Sequence, residues 1–497
     1  MEAYQTAVDL LPQFIWLGAT AKQRYQDLSK AKDLAVQASF TAIHSSDYGL
    51  SLEWLEHARC VVWNQSLMLR SPLDQLHLSD PALALQLDIV ANQLQASSFD
   101  NPILETVTFD IDMSSAEQVG RQRRRLAMEY QILLSKTRQL VGFEDFLQPM
   151  KADKLVRAAR NGPVVVVNCH ADQCDALIIL PKHNQVRHLP LPDFTEEEAQ
   201  QALSDLEAAP TTWCRVLESL WHGIVKPVLD YLGYTNGAPR RRLPRITWCP
   251  TGPLSFLPLH AAGDYSQPQA RIFDYAISSY TPTLSALLAT TPSSLKRNCR
   301  VLAVGQATTP GHNPLPGTIE ELAHIETHTR DKAQYSQLTG NRATITSVLD
   351  AMEQHDWVHL ACHAHQSVKD PTESGFHLHD GTLDLSAISQ RSFKNKGLAF
   401  LSACQTATGD EKLPDEAIHL ASGMMMAGYP SVIATMWSVV DEDAPFVADK
   451  VYAQLMKDEK IGNGEAGRAL HAAVAGLREK VGEKEFGRWV PYIHIGS

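Results

Sequence analysis

The 497-residue sequence has no apolar run long enough to span a bilayer, and its start, Met1-Glu-Ala-Tyr-Gln, lacks the basic residues and apolar core of a secretion signal. A soluble, cytoplasmic chain without a membrane partner is expected. Cysteine is sparse: the eight thiols (60, 169, 174, 214, 249, 299, 362 and 404) lack the density of a disulfide scaffold and are read as free. Positive charge is in deficit, 44 Lys and Arg against 56 Asp and Glu, and a formal charge of -12 argues against general nucleic-acid affinity. The two basic clusters, Arg121 with Arg123 to Arg125 and Arg240 to Arg242, read as solvated faces. No phosphate loop or dinucleotide fingerprint occurs, and no cofactor is expected. What is abundant is apolar residue, 44%, enough for large cores over a length of about three average domains.

Residues 4–98 are dominated by helical periodicity with breakers at Pro12, Gly18, Gly49, Pro72 and Pro81, which predicts helix pairs. Leu52, Leu55 and Ala58 fall at helical spacing, with Trp54 available to a neighbour. The pattern changes between residues 99 and 118, where 106–112 alternates like an exposed strand, and the main boundary is placed there. A helix follows over about 116–140. Residues 162–168 and 175–180 predict a hairpin whose turn holds Cys169, His170 and Cys174; without a second ligand cluster it reads as a turn. Helices are expected at 195–207 and 213–232, and a strand at 245–250 leads towards His260, which no nucleophile follows at a strand end and which is read as structural.

From Cys299 onward strand and helix alternate, which argues for a parallel sheet covered by helices. Two apolar runs, 356–365 and 397–404, read as neighbouring buried strands ending in His363 and Cys404. Sites in open parallel sheets form at the carboxyl ends of strands, which lie about 4.8 Å apart, so the two side chains can meet. An unperturbed thiol is a few per cent ionised at neutral pH and needs a base beside it, a role open to His363. Burial without chemistry is the commoner fate of a lone cysteine. Zinc is also raised by His359, Cys362, His363, His365, His377 and His379, but the first four share one short stretch without the paired spacing of a structural site. After Cys404 a helix over 415–428, a buried strand over 431–437, a helix from Asp441 and an edge strand over 489–495 are expected.

The strings HLACHAH (359–365), FHLHDGTLDLSAIS (376–389), LAFLSACQTATG (398–409) and AGYPSVIATMWSVVDED (427–443), in this order, resemble the CHAT domain, a caspase- and separase-like cysteine peptidase. The resemblance implies an α/β caspase-like fold, with a largely parallel sheet between helical layers. An inactive half (116–298) precedes a catalytic half (299–497), and both follow a helical, tetratricopeptide-like region (1–115). His363 and Cys404 match the family's dyad, and the backbone N–H groups of Ala364 and Cys404 its oxyanion hole, although the family usually has glycine where this chain has Ala364. Compared with separase, Glu416, Asp441 and Asp443 fall on acidic positions and are candidates for a substrate pocket. The acid that pairs with arginine before the cut falls on Pro445. The expected activity is cleavage of protein substrates by the Cys-His dyad, under control of the helical region or a regulatory protein docked on it. The alternative is a catalytically silent signalling or scaffold protein of the same fold.

Overall fold

In the computed structural model of the chain, the described residues are 1–98, 113–236, 242–289, 299–367, 373–391, 393, 395–403, 406–407, 419–458 and 465–497. Fourteen strands occur among them: β1 Val164–Cys169, β2 Cys174–Ile179, β3 Val186–Leu191, β4 Arg245–Pro250, β5 Ile277–Tyr280, β6 Arg300–Gly305, β7 Gln334–Thr339, β8 Trp357–Ala361, β9 Ala364–His365, β10 Gly375–His377, β11 Thr382–Asp384, β12 Leu398–Ser402, β13 Ser431–Thr435 and β14 Tyr492–Gly496. Eleven form one sheet in the order β3-β2-β1-β4-β5-β14-β13-β12-β8-β6-β7, and β11-β10-β9 form a small second one. Strands β1, β2, β4, β8, β12, β13 and β14 are buried at every position, as continuous apolar runs must be when helices cover both faces. The flanks β3 and β7 carry polar residues such as Arg187, Gln334 and Gln337, which blunt an exposed edge.

The sequence predicts an edge strand at the end of the chain, and the structure corrects this. β14 lies in the middle of the sheet, antiparallel to β13 and parallel to β5. Pro491, the reason for the edge reading, precedes the strand, so its missing N–H breaks no ladder bond, while its carbonyl accepts from Met436 N–H. Because β14 is antiparallel to one neighbour and parallel to the other, the parallel strands β1, β4 and β5 run opposite to β6, β8, β12 and β13. The carboxyl ends of the two half-sheets therefore lie on opposite edges. His260, in the segment after β4, has its ring committed to Tyr280 Oη and the Val490 carbonyl, both at 2.8 Å, so no strand-end nucleophile shares it.

A row of buried side chains crosses the join. Arg245 Nε on β4 donates to Ser279 Oγ on β5 at 2.9 Å; that oxygen meets His494 Nδ1 on β14 at 2.9 Å; and His494 Nε2 meets Ser431 Oγ on β13 at 2.8 Å. Four adjacent strands are linked, and Ser279, His494 and Ser431 each find a partner in a place where an unpaired group is costly.

The N-terminal helical region is present, and its first helices dock on the sheet. Glu2–Phe14, Leu34–His44 and Tyr48–Ala58 bury Val8, Leu11, Ala38, Leu52 and Leu55 in one core with Val164, Val166, Leu177 and Ile179 of the first half-sheet. Polar anchors pin this face: Glu56 accepts from Leu284 and Ser285 N–H at the start of the helix Leu284–Ala289, and the Arg59 guanidinium reaches the Pro250 carbonyl at 2.8 Å. Arg70 reaches furthest, donating to the Met426 carbonyl at 2.9 Å at the end of the helix Leu420–Met426. The helix Met113–Thr137 straddles the expected division at residue 115 and packs on the helix Pro81–Ser98 in a separate core. The strand expected at 106–112 and the start of the helix expected at 415 lie outside the described residues. Among the described residues no helix is long and apolar enough to cross a membrane.

Burial, then the charge of Arg245, holds His494 neutral well below its ordinary range, and burial brings His260 and His419 down to about 4. Between those values and the unfolded value of about 6.5 the folded chain binds fewer protons than the unfolded one, so stability is present above that pH and falls as pH drops through the window. Urea unfolding at pH 7 and pH 5 is expected to show a clear loss before carboxylates titrate, with His494 alone contributing ~1.4 kcal/mol per pH unit. His494→Gln should flatten that limb. Equal stability at both pH values would contradict the assignment.

Candidate active site

β8 and β12 are parallel neighbours in a register that sets Val358 opposite Ala399 and Ala361 opposite Ser402. His363 and Cys404 each stand two residues beyond that last aligned pair in the sequence. Lys396, ahead of β12, helps set the register: its buried ammonium donates to the Met352 and His355 carbonyls, at 2.7 and 2.6 Å, where the chain turns into β8. Cys404 and Glu416 lie outside the described residues. Their neighbours do not. Thr435, fully buried at the end of β13, holds the chain on both sides of residues 404 and 405: its hydroxyl donates to the Ala403 carbonyl at 2.6 Å, its N–H to Thr406 Oγ1 at 2.9 Å, and its carbonyl accepts from Ala407 N–H at 2.8 Å.

His363 is half-buried, and its Nε2 lies 2.7 Å from the Asn313 carbonyl oxygen. A carbonyl only accepts, so Nε2 carries the hydrogen, and in the neutral ring Nδ1 keeps a lone pair. Asn313 belongs to a loop after β6 that is rigid by composition. Thr309-Pro310-Gly311-His312 forms a turn closed from His312 N–H to the Thr309 carbonyl, with Gly311 at φ +80° where a type II turn needs glycine. Leu315 N–H closes the loop on the Ala307 carbonyl. At its exit Gly317 N–H donates to Asp441 Oδ2 at 2.8 Å, and a Cβ on Gly317 would sit 2.5 Å from the Asp441 carbonyl oxygen, so the approach requires glycine.

His363 also belongs to a row of imidazoles. Its ring stacks on His312 with centroids 4.9 Å apart; His312 lies 4.2 Å from His377, and His377 4.9 Å from His365. Burial, then the charges of His312, His365 and His363, brings His377 down to about 4. The described residues hold one group close enough to share an ion, Glu218, His222 and Asp264, which includes none of these histidines.

The other predicted residues divide. Ala364 lies opposite Phe376 across β9 and β10, beside the pair in which His377 N–H donates to the His363 carbonyl at 2.8 Å, so the Ala364 N–H points away from β10. Cys362 is buried in the core, its thiol pushed up to about 12 by burial and the charge of Glu321. Asp443 is fully buried, and its two oxygens hold Arg488 at 2.6 and 2.7 Å. Asp441 anchors the loop, and Pro445 sits in the first turn of the helix Ala444–Asp458, where proline needs no N–H partner. His170, in the hairpin turn, stacks on Phe40 of the helical region at 3.7 Å. The sequence reading missed His312, Asn313 and Thr435. A signal for the first two exists, a proline-rich loop, Pro310 to Pro316, at the carboxyl end of a parallel strand.

A CHAT domain family model matches residues 214–497. No curated protein matches the chain. Among solved structures, separase in the Saccharomyces cerevisiae separase–securin complex is similar over 99% of this chain and 37% of its own, with 8% identity and a TM-score of 0.51. RgpB of Porphyromonas gingivalis, in a complex of its pro- and mature domains, matches 55% of this chain and 69% of its own at 11% identity and a TM-score of 0.39. At such identities the likeness to separase speaks for the fold, and this chain spans little over a third of the separase chain.

Thr435→Val keeps the shape of the side chain but removes the hydroxyl that meets Ala403 O. We expect a loss of ~1–3 kcal/mol in urea unfolding, the range for leaving a buried acceptor unpaired, together with slower reaction of Cys404 with a thiol reagent. Unchanged Cys404 reactivity would show that this bracket does not position it.

Proposed function

The chain belongs to the CHAT domain family, and on that premise we propose that it is a cysteine endopeptidase with Cys404 as nucleophile and His363 as general base. The observation that carries this reading is the hydrogen bond from His363 Nε2 to the Asn313 carbonyl, at the end of the strand beside the one that leads to Cys404. It leaves Nδ1 as the acceptor. In the proposed reaction the Cys404 proton passes to Nδ1, and the thiolate attacks the scissile carbonyl carbon. The oxyanion accepts hydrogen bonds from the Ala364 and Cys404 N–H groups. The C–N bond then breaks, the amine leaves with the proton from Nδ1, and water activated by the same nitrogen hydrolyses the thioester. The Ala364 methyl group restricts φ without removing the donor.

The acids present do not favour a separase-like demand for arginine before the cut. Asp443 is neutralised by Arg488, Asp441 is hydrogen-bonded at the loop exit, and Pro445 offers no acceptor. Control by the helical region, or by a protein partner docked on it, has a physical route in Arg70. Its guanidinium holds the end of the helix Leu420–Met426, and residues 408–418, which follow the nucleophile, lead into that helix.

An activity-based thiol probe tests the assignment on the full chain. Wild type should label and Cys404→Ala should not; His363→Ala should slow labelling and peptide cleavage by about 10²-fold or more, the usual worth of a general base. Cys362→Ala should stay near wild type, and Arg70→Met should raise the labelling rate if that contact maintains latency. Equal labelling of Cys404→Ala would sink the assignment, and a folded wild type that never labels would favour the scaffold reading.

Cleavage-site profiling with a proteome-derived peptide library should show no arginine requirement. A strong requirement that survives Pro445→Ala but disappears in Asp441→Ala would identify Asp441 as the recognising acid and overturn the specificity assignment.

A further inference from the structure

We propose that His312 is a positioning residue for His363, fixing the plane of its imidazole while the adjoining Asn313 carbonyl fixes its edge. The inference rests on reading His363 as the base and adds a residue that the dyad does not include.

A single hydrogen bond at Nε2 leaves the ring free to turn about the N–H···O axis, and that turn swings Nδ1 away from the direction in which it must accept a proton. Core packing does not prevent it, because His363 is only half-buried. His312 supplies the missing restraint. Its ring lies 25° from the His363 plane with centroids 4.9 Å apart, a stacked contact that resists the turn. Both contacts come from consecutive residues of one loop, so edge and face cannot shift independently. The turn at Thr309–His312, the closure from Leu315 to Ala307 and the tie from Gly317 to Asp441 hold that loop, and Pro310, Pro314 and Pro316 remove backbone freedom from it.

His312 is itself backed on its other side. His377, 4.2 Å away, belongs to the small sheet, and its Nδ1 is 3.1 Å from Thr382 Oγ1 on β11. The exposed His312 ring thus contacts both the His363 ring and a strand-borne ring, which explains how a loop residue can keep one orientation. The contact asked of His312 is a flat face; no proton transfer through its nitrogens is involved.

The test is made on the full chain with His312→Ala and His312→Phe. On a cleaved peptide, His312→Ala is expected to lower kcat roughly three- to tenfold with KM unchanged, the scale of one aromatic contact expressed as population of the reactive ring orientation. His312→Phe, which restores a face without a titratable nitrogen, is expected to recover most of the loss. An unchanged kcat in His312→Ala overturns the proposal, and so does a His312→Phe variant as impaired as the alanine one. A second readout does not need turnover: ¹⁵N spectra of histidine-labelled protein, with His363 assigned by His363→Gln, should show one Nε2–H tautomer in wild type and a broadened or mixed signal in His312→Ala. If the wild-type chain neither cleaves peptides nor labels at Cys404, the dyad reading fails, and these spectra still decide the positioning role, with identical His363 signals in wild type and His312→Ala counting against it.

Discussion

The pairing of β14 between β13 and β5 is the constraint on which the architecture depends. It joins two half-sheets and reverses their sense, so that the loops after β4 and the loops after β8 open on opposite edges. The row from Arg245 through Ser279 and His494 to Ser431 makes that join specific. A slip of one residue in β14 would turn His494 to the other face and strand its partners, since successive side chains of a strand point to opposite sides. Apolar burial supplies most of the stabilisation here, and the polar row selects one register.

At the far edge of the second half-sheet, the candidate site is built from loops tied back to strand and helix ends. Thr435 at the end of β13 holds the residues flanking 404 and 405, and Asp441, a few residues further on, holds the exit of the loop that presents His312 and Asn313. The segment after β13 therefore serves both sides of the site. This use of Asp441, and the commitment of Asp443 to Arg488, turns the acids that resemble a recognition cluster into parts of the scaffold. Precision of this kind matters because catalytic groups act only within a narrow range of geometry.

The helical region contributes burial as well as contact. A few helices cannot bury both faces alone, and here the first ones cover the first half-sheet directly, with Glu56 and Arg59 filling polar needs at the interface. Arg70 carries its contact on into the second half, at the end of the helix Leu420–Met426.

Continuous apolar runs declared β1, β2, β8, β12 and β13 as buried strands, because burial on both faces leaves no room for alternation, and their alternation with helices declared a mostly parallel sheet. The same local signals put reactive side chains at the ends of two adjacent strands and gave the family resemblance. Local pattern misread β14, since a proline beside a strand says nothing about which strands flank it. It was silent on His312, Asn313 and Thr435 and did not give Asp441 its place at the loop exit, since these roles are set by partners 50 residues away for His363 with Asn313 and 124 for Gly317 with Asp441. The sequence by itself determined the long buried strands and the residues that end them, though not β3 or β5, because periodicity and apolar content act locally. Only the tertiary structure decided which ring meets which carbonyl and which acid stays available, because those contacts join segments that only the folded sheet brings together.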